Sequence, residues 1–375
     1  MWIDCDFDGG SIRILEAEEP GRAVLGLRAD NAADFRQWFY FRARGVADMP
    51  CTFTIADAGS STFPGGWNDY HACASYDGEE WFRVPTERDG DALIIRHAPR
   101  RDVVAYACFA PYSSDRCAAL IERARASDLA TVVTLGESIE GRPMNVVVIG
   151  DQQSSLPRLW IIAQQHPGET SAGWCAEGIV DRLLDEDDET AAALRDRAVV
   201  YVVPRMNPDG AARGNHRTNA AGLDLNRAWS EPSMETSPEV FLVRAAMDAS
   251  GVDFFLDIHG EEEIPYLFDF GAEGVPNYGE RLAALEEMFR DALEAAEESY
   301  QREEGYDRDP PGGADLGLAN AYVADRFDCL SMGLELPFKD DESHPEPEVG
   351  WSPDRSRHLG RAVVEAVLAC VGSLR

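Results

Sequence analysis

His166-Pro167-Gly168-Glu169 brings an imidazole and a carboxylate together between an apolar run and a helical pattern. Asp257-Ile258-His259-Gly260 puts a second histidine at the end of another apolar run, Phe254-Phe255-Leu256. Imidazole nitrogen and carboxylate oxygen are suitable zinc ligands, and a His, Glu, His set leaves one position open for water, the catalytic rather than the structural pattern. The alternative for His166 and Glu169 is that they cap and order the helix that follows. A third stretch runs Arg205-Met206-Asn207-Pro208-Asp209-Gly210, then Gly214-Asn215-His216-Arg217, then Asp224-Leu225-Asn226-Arg227. Its arginines are suited to bidentate carboxylate recognition, and an arginine near an open metal position can stabilise an oxyanion. The alternative for this stretch is a surface loop held by salt bridges in an otherwise acidic chain. The fourth is Glu335, a single carboxylate inside the apolar run Cys329–Leu336, which could exchange protons beside a metal or simply face solvent at a strand end.

These groups need elements that bring them together. The apolar runs Met144–Ile149, Leu159–Ala163, Ala198–Val203 and Phe254–Ile258 read as buried strands, and Ala172–Leu184 and Val240–Ala249 as helices between them. Such alternation predicts an α/β unit with a largely parallel or mixed sheet, whose ligands lie beyond the strand ends. Before residue 110 the pattern differs. Ala23–Leu27, Trp38–Ala43 and Cys51–Ile55 are short runs separated by Gly, Asp, Asn and Pro, the spacing of an antiparallel β-sandwich. Pro111–Asp115 introduces a helix near 114–126, with Ser113, Ser114 or Asp115 as cap. The expected organisation is a β-sandwich over 1–112, a connecting helix over 113–126 and an α/β unit over 127–375. The charged, Pro- and Gly-containing segment Glu303–Gly313 reads as a mobile loop.

Composition narrows the partners. The formal net charge of −34 argues against nucleic acid, whose phosphates would be repelled at long range. No stretch reaches the roughly 20 unbroken apolar residues of a membrane helix. Met1–Gly10 carries acids where a secretory signal carries basic and then apolar residues, and the eight cysteines form no CxxC pair or cluster. The expectation is a soluble cytoplasmic protein with no membrane partner.

Taken together and in order, His166–Thr170, Asn207–Gly210, Gly214–Arg217, Asp224–Arg227, Asp257–Gly260 and Leu334-Glu335 resemble the M14 family of zinc carboxypeptidases, most closely its cytosolic carboxypeptidase subfamily. Members of that subfamily carry a β-sandwich before the peptidase domain. The resemblance implies one zinc ion per chain on His166, Glu169 and His259, with Asp224 orienting His166. It implies that Arg217 faces the scissile carbonyl oxygen and that Asn226 and Arg227 grip the substrate's C-terminal carboxylate. Glu335 would serve as general base and acid toward a zinc-activated water, and the substrate would be a peptide or protein C-terminus. Digestive members have an arginine where this chain has Gly168, so subsite contacts must differ. Tyr306 is the candidate for their mobile substrate-covering tyrosine, with Tyr322 competing. Asp315 stands where glutamate-removing members are expected to carry a basic residue, which would favour a basic or neutral C-terminal residue. A second reading keeps metal and fold but cleaves small N-acyl amino acids, as aspartoacylase-like and desuccinylase-like enzymes do. A third is a non-catalytic module that binds peptide C-termini, against which an intact Glu335 argues.

Overall fold

The computed structural model describes residues 1–374. The first part of the chain forms two five-stranded sheets. One contains Trp2–Asp4, Tyr40–Arg44, Cys73–Ser75, Trp81–Arg83 and Val103–Ala107; the other contains Arg13–Glu16, Arg22–Gly26, Cys51–Ile55, Thr86–Asp89 and Ala92–His97. Alternate residues of these strands turn inward, as strand periodicity requires. Phe41 meets Phe53 with ring centroids 5.3 Å apart, and Phe53 meets Tyr106 at 4.8 Å. The pairing is antiparallel apart from Arg22–Gly26 against Cys51–Ile55, which is parallel. Between those two strands the chain crosses to the other sheet as Tyr40–Arg44, and so re-enters in its original direction.

Ser113 caps the helix Ser114–Ala126 by accepting the Arg116 N–H. Beyond it lies a seven-stranded mixed sheet, ordered Ala130–Glu137, Pro143–Ile149, Val199–Val203, Arg158–Ala163, Phe254–Glu261, Leu330–Pro337 and Phe268–Phe270. Its centre is parallel and both edges are antiparallel. Both faces are covered, so its central strands are apolar on alternate residues toward two different cores. Leu159, Ile161 and Ala163 join the cluster that includes the helices Thr170–Leu183 and Pro353–Val371 and the interior of the N-terminal sheets. Trp160 and Ile162 join a second cluster with Trp229, Val240 and Val243. The chain leaves Arg158–Ala163 for the strand on one side and later returns on the other, at Phe254–Glu261. That reversal of winding opens a crevice at the carboxyl ends of these two strands. No helix among the described residues is long and apolar enough to cross a membrane.

Candidate active site

At the end of Arg158–Ala163 the backbone of Gln164 adopts a left-handed conformation, φ 56°. Its side chain fixes the turn: Nε2 donates to the Pro167 carbonyl at 2.9 Å, and Oε1 accepts from Arg205 Nε at 2.9 Å. Glu169 occupies the N-cap position of Thr170–Leu183 yet makes no side-chain cap bond. Helix capping is therefore not what its carboxylate does. Oε1 lies 2.5 Å from His166 Nδ1, and Oε2 lies 2.8 Å from His259 Nδ1. Gly168 has no room for a side chain, because an added Cβ would sit 2.5 Å from His216 Nδ1.

The outer nitrogens of both imidazoles also meet carboxylates, His166 Nε2 with Asp224 Oδ1 at 3.0 Å and His259 Nε2 with Asp257 Oδ2 at 2.7 Å. These partners favour the Nε2–H tautomer, which leaves each Nδ1 with a lone pair facing Glu169. The donor atoms of His166, Glu169 and His259 all lie within 4.8 Å of one another and are buried. Three lone-pair donors aimed at one buried point repel each other unless protons or a metal cation lie between them. A divalent metal with N/O preference meets that requirement, and the set fits zinc. Burial pushes the Glu169 carboxyl up, but with no metal bound His166 and His259, when protonated, outweigh it and hold it well below the usual carboxylate range; a metal cation in place of those protons acts in the same sense. Burial pushes Asp224 up as well, and there His166, when protonated, and Arg217 outweigh it.

The parallel strands Phe254–Glu261 and Leu330–Pro337 pair in a register that sets Glu335 directly beside His259. Glu335 is 6% exposed, so it is not a solvent-facing acid. Oε1 accepts from the Tyr306 hydroxyl at 3.2 Å, while Oε2 has no hydrogen-bond partner. Burial, with Glu169, Glu261 and Glu262 adding to it, raises its carboxyl well above the usual range, against an opposing pull from His259. A dication beside it would favour the ionised form.

Arg217 Nε donates to Asp224 Oδ2 at 2.7 Å, so one carboxylate ties the arginine to His166. Asn226 Oδ1 accepts the Ala319 N–H at 2.8 Å, and its Nδ2 lies 3.3 Å from His259 Nε2. Arg227 is exposed and donates to the Asn226 carbonyl at 2.8 Å, with no carboxylate paired to it among the described residues. Arg217, Asn226, Arg227, Tyr306 and Glu335 line one cavity of about 690 Å³ with the three candidate ligands.

Tyr306 is 49% exposed, yet its hydroxyl is the inner end and also donates to Glu261 Oε2 at 2.5 Å. Tyr322 lies elsewhere, packed on Trp229 at 6.3 Å and beneath Arg244. Asp315 is not brought to the cavity. It is exposed, and its carboxylate accepts the Gly317 N–H at 2.8 Å, which orders the turn before Ala319–Phe327. The side-chain preference expected from Asp315 thus has no geometric basis. Asp209 is likewise structural, accepting from Ser138 Oγ and the Glu140 N–H.

A family model described as zinc carboxypeptidase matches residues 118–354. The chain belongs to the zinc carboxypeptidase family. Residues 3–109 match the cytosolic carboxypeptidase N-terminal domain. A metallo-carboxypeptidase from Pseudomonas aeruginosa, solved in complex with (2-guanidinoethylmercapto)succinic acid, is 46% identical and matches over 100% of both chains with a TM-score of 0.96. An uncharacterized Zymomonas mobilis protein is 42% identical over 98% of this chain and 96% of its own length. Human cytosolic carboxypeptidase 1 is 32% identical over 71% of this chain but only 26% of its own length, so the chain spans about a quarter of that relative.

Among the motif residues the structure gives Asp257 a supporting role, and outside the motifs it brings Gln165 and Asp30 to the site's support. Gln165 Nε2 donates to Asp257 Oδ2 at 2.6 Å, and its Oε1 accepts from Trp229 Nε1 at 2.8 Å. The i, i+2 spacing of Asp257 and His259 on one strand is a readable signal for their pairing. Gln165 and Asp30 carry none.

Proposed function

We propose that this protein is a zinc-dependent metallocarboxypeptidase that hydrolyses the C-terminal peptide bond of peptides or proteins in the cytoplasm. The observation that carries the reading is the convergence of two imidazole Nδ1 atoms and the Glu169 carboxylate beside a buried glutamate with an unpartnered oxygen. One zinc per chain, when held by His166, Glu169 and His259, supplies Lewis acidity and brings water within reach of deprotonation near neutral pH. Glu335 takes the proton from the attacking water on Oε2 and returns it to the leaving amine. Arg217 donates to the carbonyl oxygen as negative charge develops there, and Asp224 keeps both Arg217 and His166 in place. Asn226 and Arg227 receive the free C-terminal carboxylate, and Tyr306 closes the cavity over the substrate.

The relative's ligand, (2-guanidinoethylmercapto)succinic acid, is by its chemistry a dicarboxylate, which suits a cavity that grips carboxylate through arginine. The small N-acyl amino acid reading loses support, because both matched family models are carboxypeptidase models. The cytoplasmic assignment draws support from eight free cysteines and from cytosolic relatives.

Metal analysis and a panel of peptides with varied C-terminal residues, assayed with and without chelator, test the proposal. Zinc should be present at one per chain, and chelation should abolish release of the C-terminal residue. Full zinc occupancy in the His166→Ala/His259→Ala double variant would remove the site. Failure of zinc-loaded protein to cleave any free-acid peptide would remove the activity.

A milder change tests the outer carboxylate. Asp257→Asn should weaken zinc affinity by about 10- to 100-fold, the usual effect of losing a group that orients a metal-bound histidine. Competition against a chromophoric chelator reads it directly. Unchanged affinity would show that Asp257 does not orient His259.

A further inference from the structure

The loop that carries Arg217 is held by the N-terminal sheets. Asp30 lies just beyond the strand Arg22–Gly26 and is 5% exposed. Its Oδ1 accepts the His216 N–H at 2.6 Å. Its Oδ2 accepts the Arg217 N–H at 2.8 Å, the Thr218 N–H at 2.8 Å and the Thr218 hydroxyl at 3.1 Å. A single carboxylate thus collects three consecutive amides, an arrangement that fixes the direction of the backbone and so of the side chain in its middle. The neighbouring Asn31 extends the hold, donating to the Ala220 carbonyl at 2.8 Å and accepting from Asn215 Nδ2 at 2.6 Å. Two glycines allow the close approach. Gly214, φ 68°, would put a Cβ 2.6 Å from the Gly9 carbonyl oxygen, and Gly222, φ 78°, would put one 2.7 Å from that of Ala32. The guanidinium itself lies 5.7 Å from the Phe35 ring and 6.0 Å from the Phe63 ring, both from the N-terminal part. Phe63 also lines the active-site cavity.

We propose that Asp30 is a positioning residue for Arg217, so that the N-terminal sheets complete the oxyanion-stabilising side of the active site. Arg217 reaches the cavity through two anchors, Asp224 on its side chain and Asp30 on its backbone. Only the second comes from outside the peptidase unit. The inference rests on the proposed role of Arg217, and it assigns to the N-terminal part a share in transition-state stabilisation. An arginine displaced by about 1 Å from a developing oxyanion loses much of its effect, which appears in kcat more than in KM.

The test compares Asp30→Asn, Asp30→Glu and Arg217→Ala, each alone, with the Asp30→Asn/Arg217→Ala pair, in zinc-loaded full-length protein. Asp30→Asn should retain zinc, lower kcat on a free-acid peptide by at least about 10-fold and change KM by less than about threefold. Asp30→Glu keeps the charge but lengthens the arm, and should lower kcat in the same sense. On the Arg217→Ala background, Asp30→Asn should change kcat by less than about twofold, since the group it positions is gone. Hydrogen exchange at His216, Arg217 and Thr218 should accelerate in Asp30→Asn. Native kcat in both folded Asp30 variants, or an equal fall on the Arg217→Ala background, would overturn the proposal. If the wild type lacks carboxypeptidase activity, the functional reading fails separately. Amide exchange still decides for Asp30, because native protection of the three amides in Asp30→Asn overturns its hold on the loop and accelerated exchange sustains it.

Discussion

Glu335→Gln should leave the zinc site and fold intact and lower turnover by at least about 10²-fold, the lower end of what general acid–base catalysis contributes. The substitution is nearly isosteric, and the amide keeps an oxygen to accept the Tyr306 hydroxyl that Glu335 Oε1 now accepts at 3.2 Å. What it removes is a proton acceptor at the second oxygen, the one with no hydrogen-bond partner. A buried carboxylate oxygen left unpaired costs free energy. Its retention next to His259 is explained if water and substrate are what it meets during the reaction. Burial resists its ionisation, and three nearby acids, Glu169, Glu261 and Glu262, add to that resistance. Without the neighbouring cation a glutamate here would hold its proton and could not act as a base. A neutral amide at this position adds no charge to these acidic surroundings, so the variant should not destabilise the protein. Steady-state kinetics with zinc content and thermal unfolding measured on the same sample separate the outcomes. A near-native rate from folded, zinc-loaded Glu335→Gln would take Glu335 out of the mechanism.

Much of this site could be read before any coordinates, because its candidate ligands sit at the ends of apolar runs. Strand ends are where an α/β sheet exposes side chains to a common crevice, so His166 and His259 converge although 93 positions apart in the sequence. Glu335 was recognisable as a charge inside an apolar strand, but its register opposite His259 is a property of sheet pairing that the strand's own residues do not encode. The parallel pair in the N-terminal part was hidden for a similar reason. Each strand shows the period of two, but direction depends on the route the chain takes between them. The expectation for Asp315 came from matching its position to the basic residue of glutamate-removing members, and such a match does not show that its carboxylate accepts the Gly317 N–H two residues on. Tyr306 and Tyr322 could not be separated by sequence, since the choice depends on which face of the sheet each loop and helix returns to. Asp30 left no trace at all. It is one of 68 acids, and its partners are more than 180 residues away.

A peptide with an amidated C-terminus should be a very poor substrate for the wild type compared with the same peptide as a free acid. A metal and a glutamate base cleave amides in endopeptidases and exopeptidases alike; what restricts cleavage to the last bond is a fixed cation for the terminal carboxylate. The cavity contains several arginines, but most are already neutralised. Arg217 is paired with Asp224 at 2.7 Å, and Arg290 with Asp269 at 2.8 Å and Glu273 at 3.2 Å. Arg227, beside Asn226, has no such partner among the described residues, so it keeps its charge available for an incoming anion. That local charge matters more in a chain of net charge −34, whose general field repels an anionic substrate end. A charge-assisted contact that becomes partly desolvated when the substrate covers it is worth roughly 2–5 kcal/mol, or about 30- to several-thousand-fold in kcat/KM. Arg227→Ala should therefore lose most of its activity on the free acid and little of its already small activity on the amide. Steady-state rates for both peptides with both proteins form a cycle in which the two changes are strongly non-additive. Two additive losses would mean that some other group binds the carboxylate. Equal cleavage of amide and acid by the wild type would mean that the enzyme is not a carboxypeptidase, even with the zinc site as described.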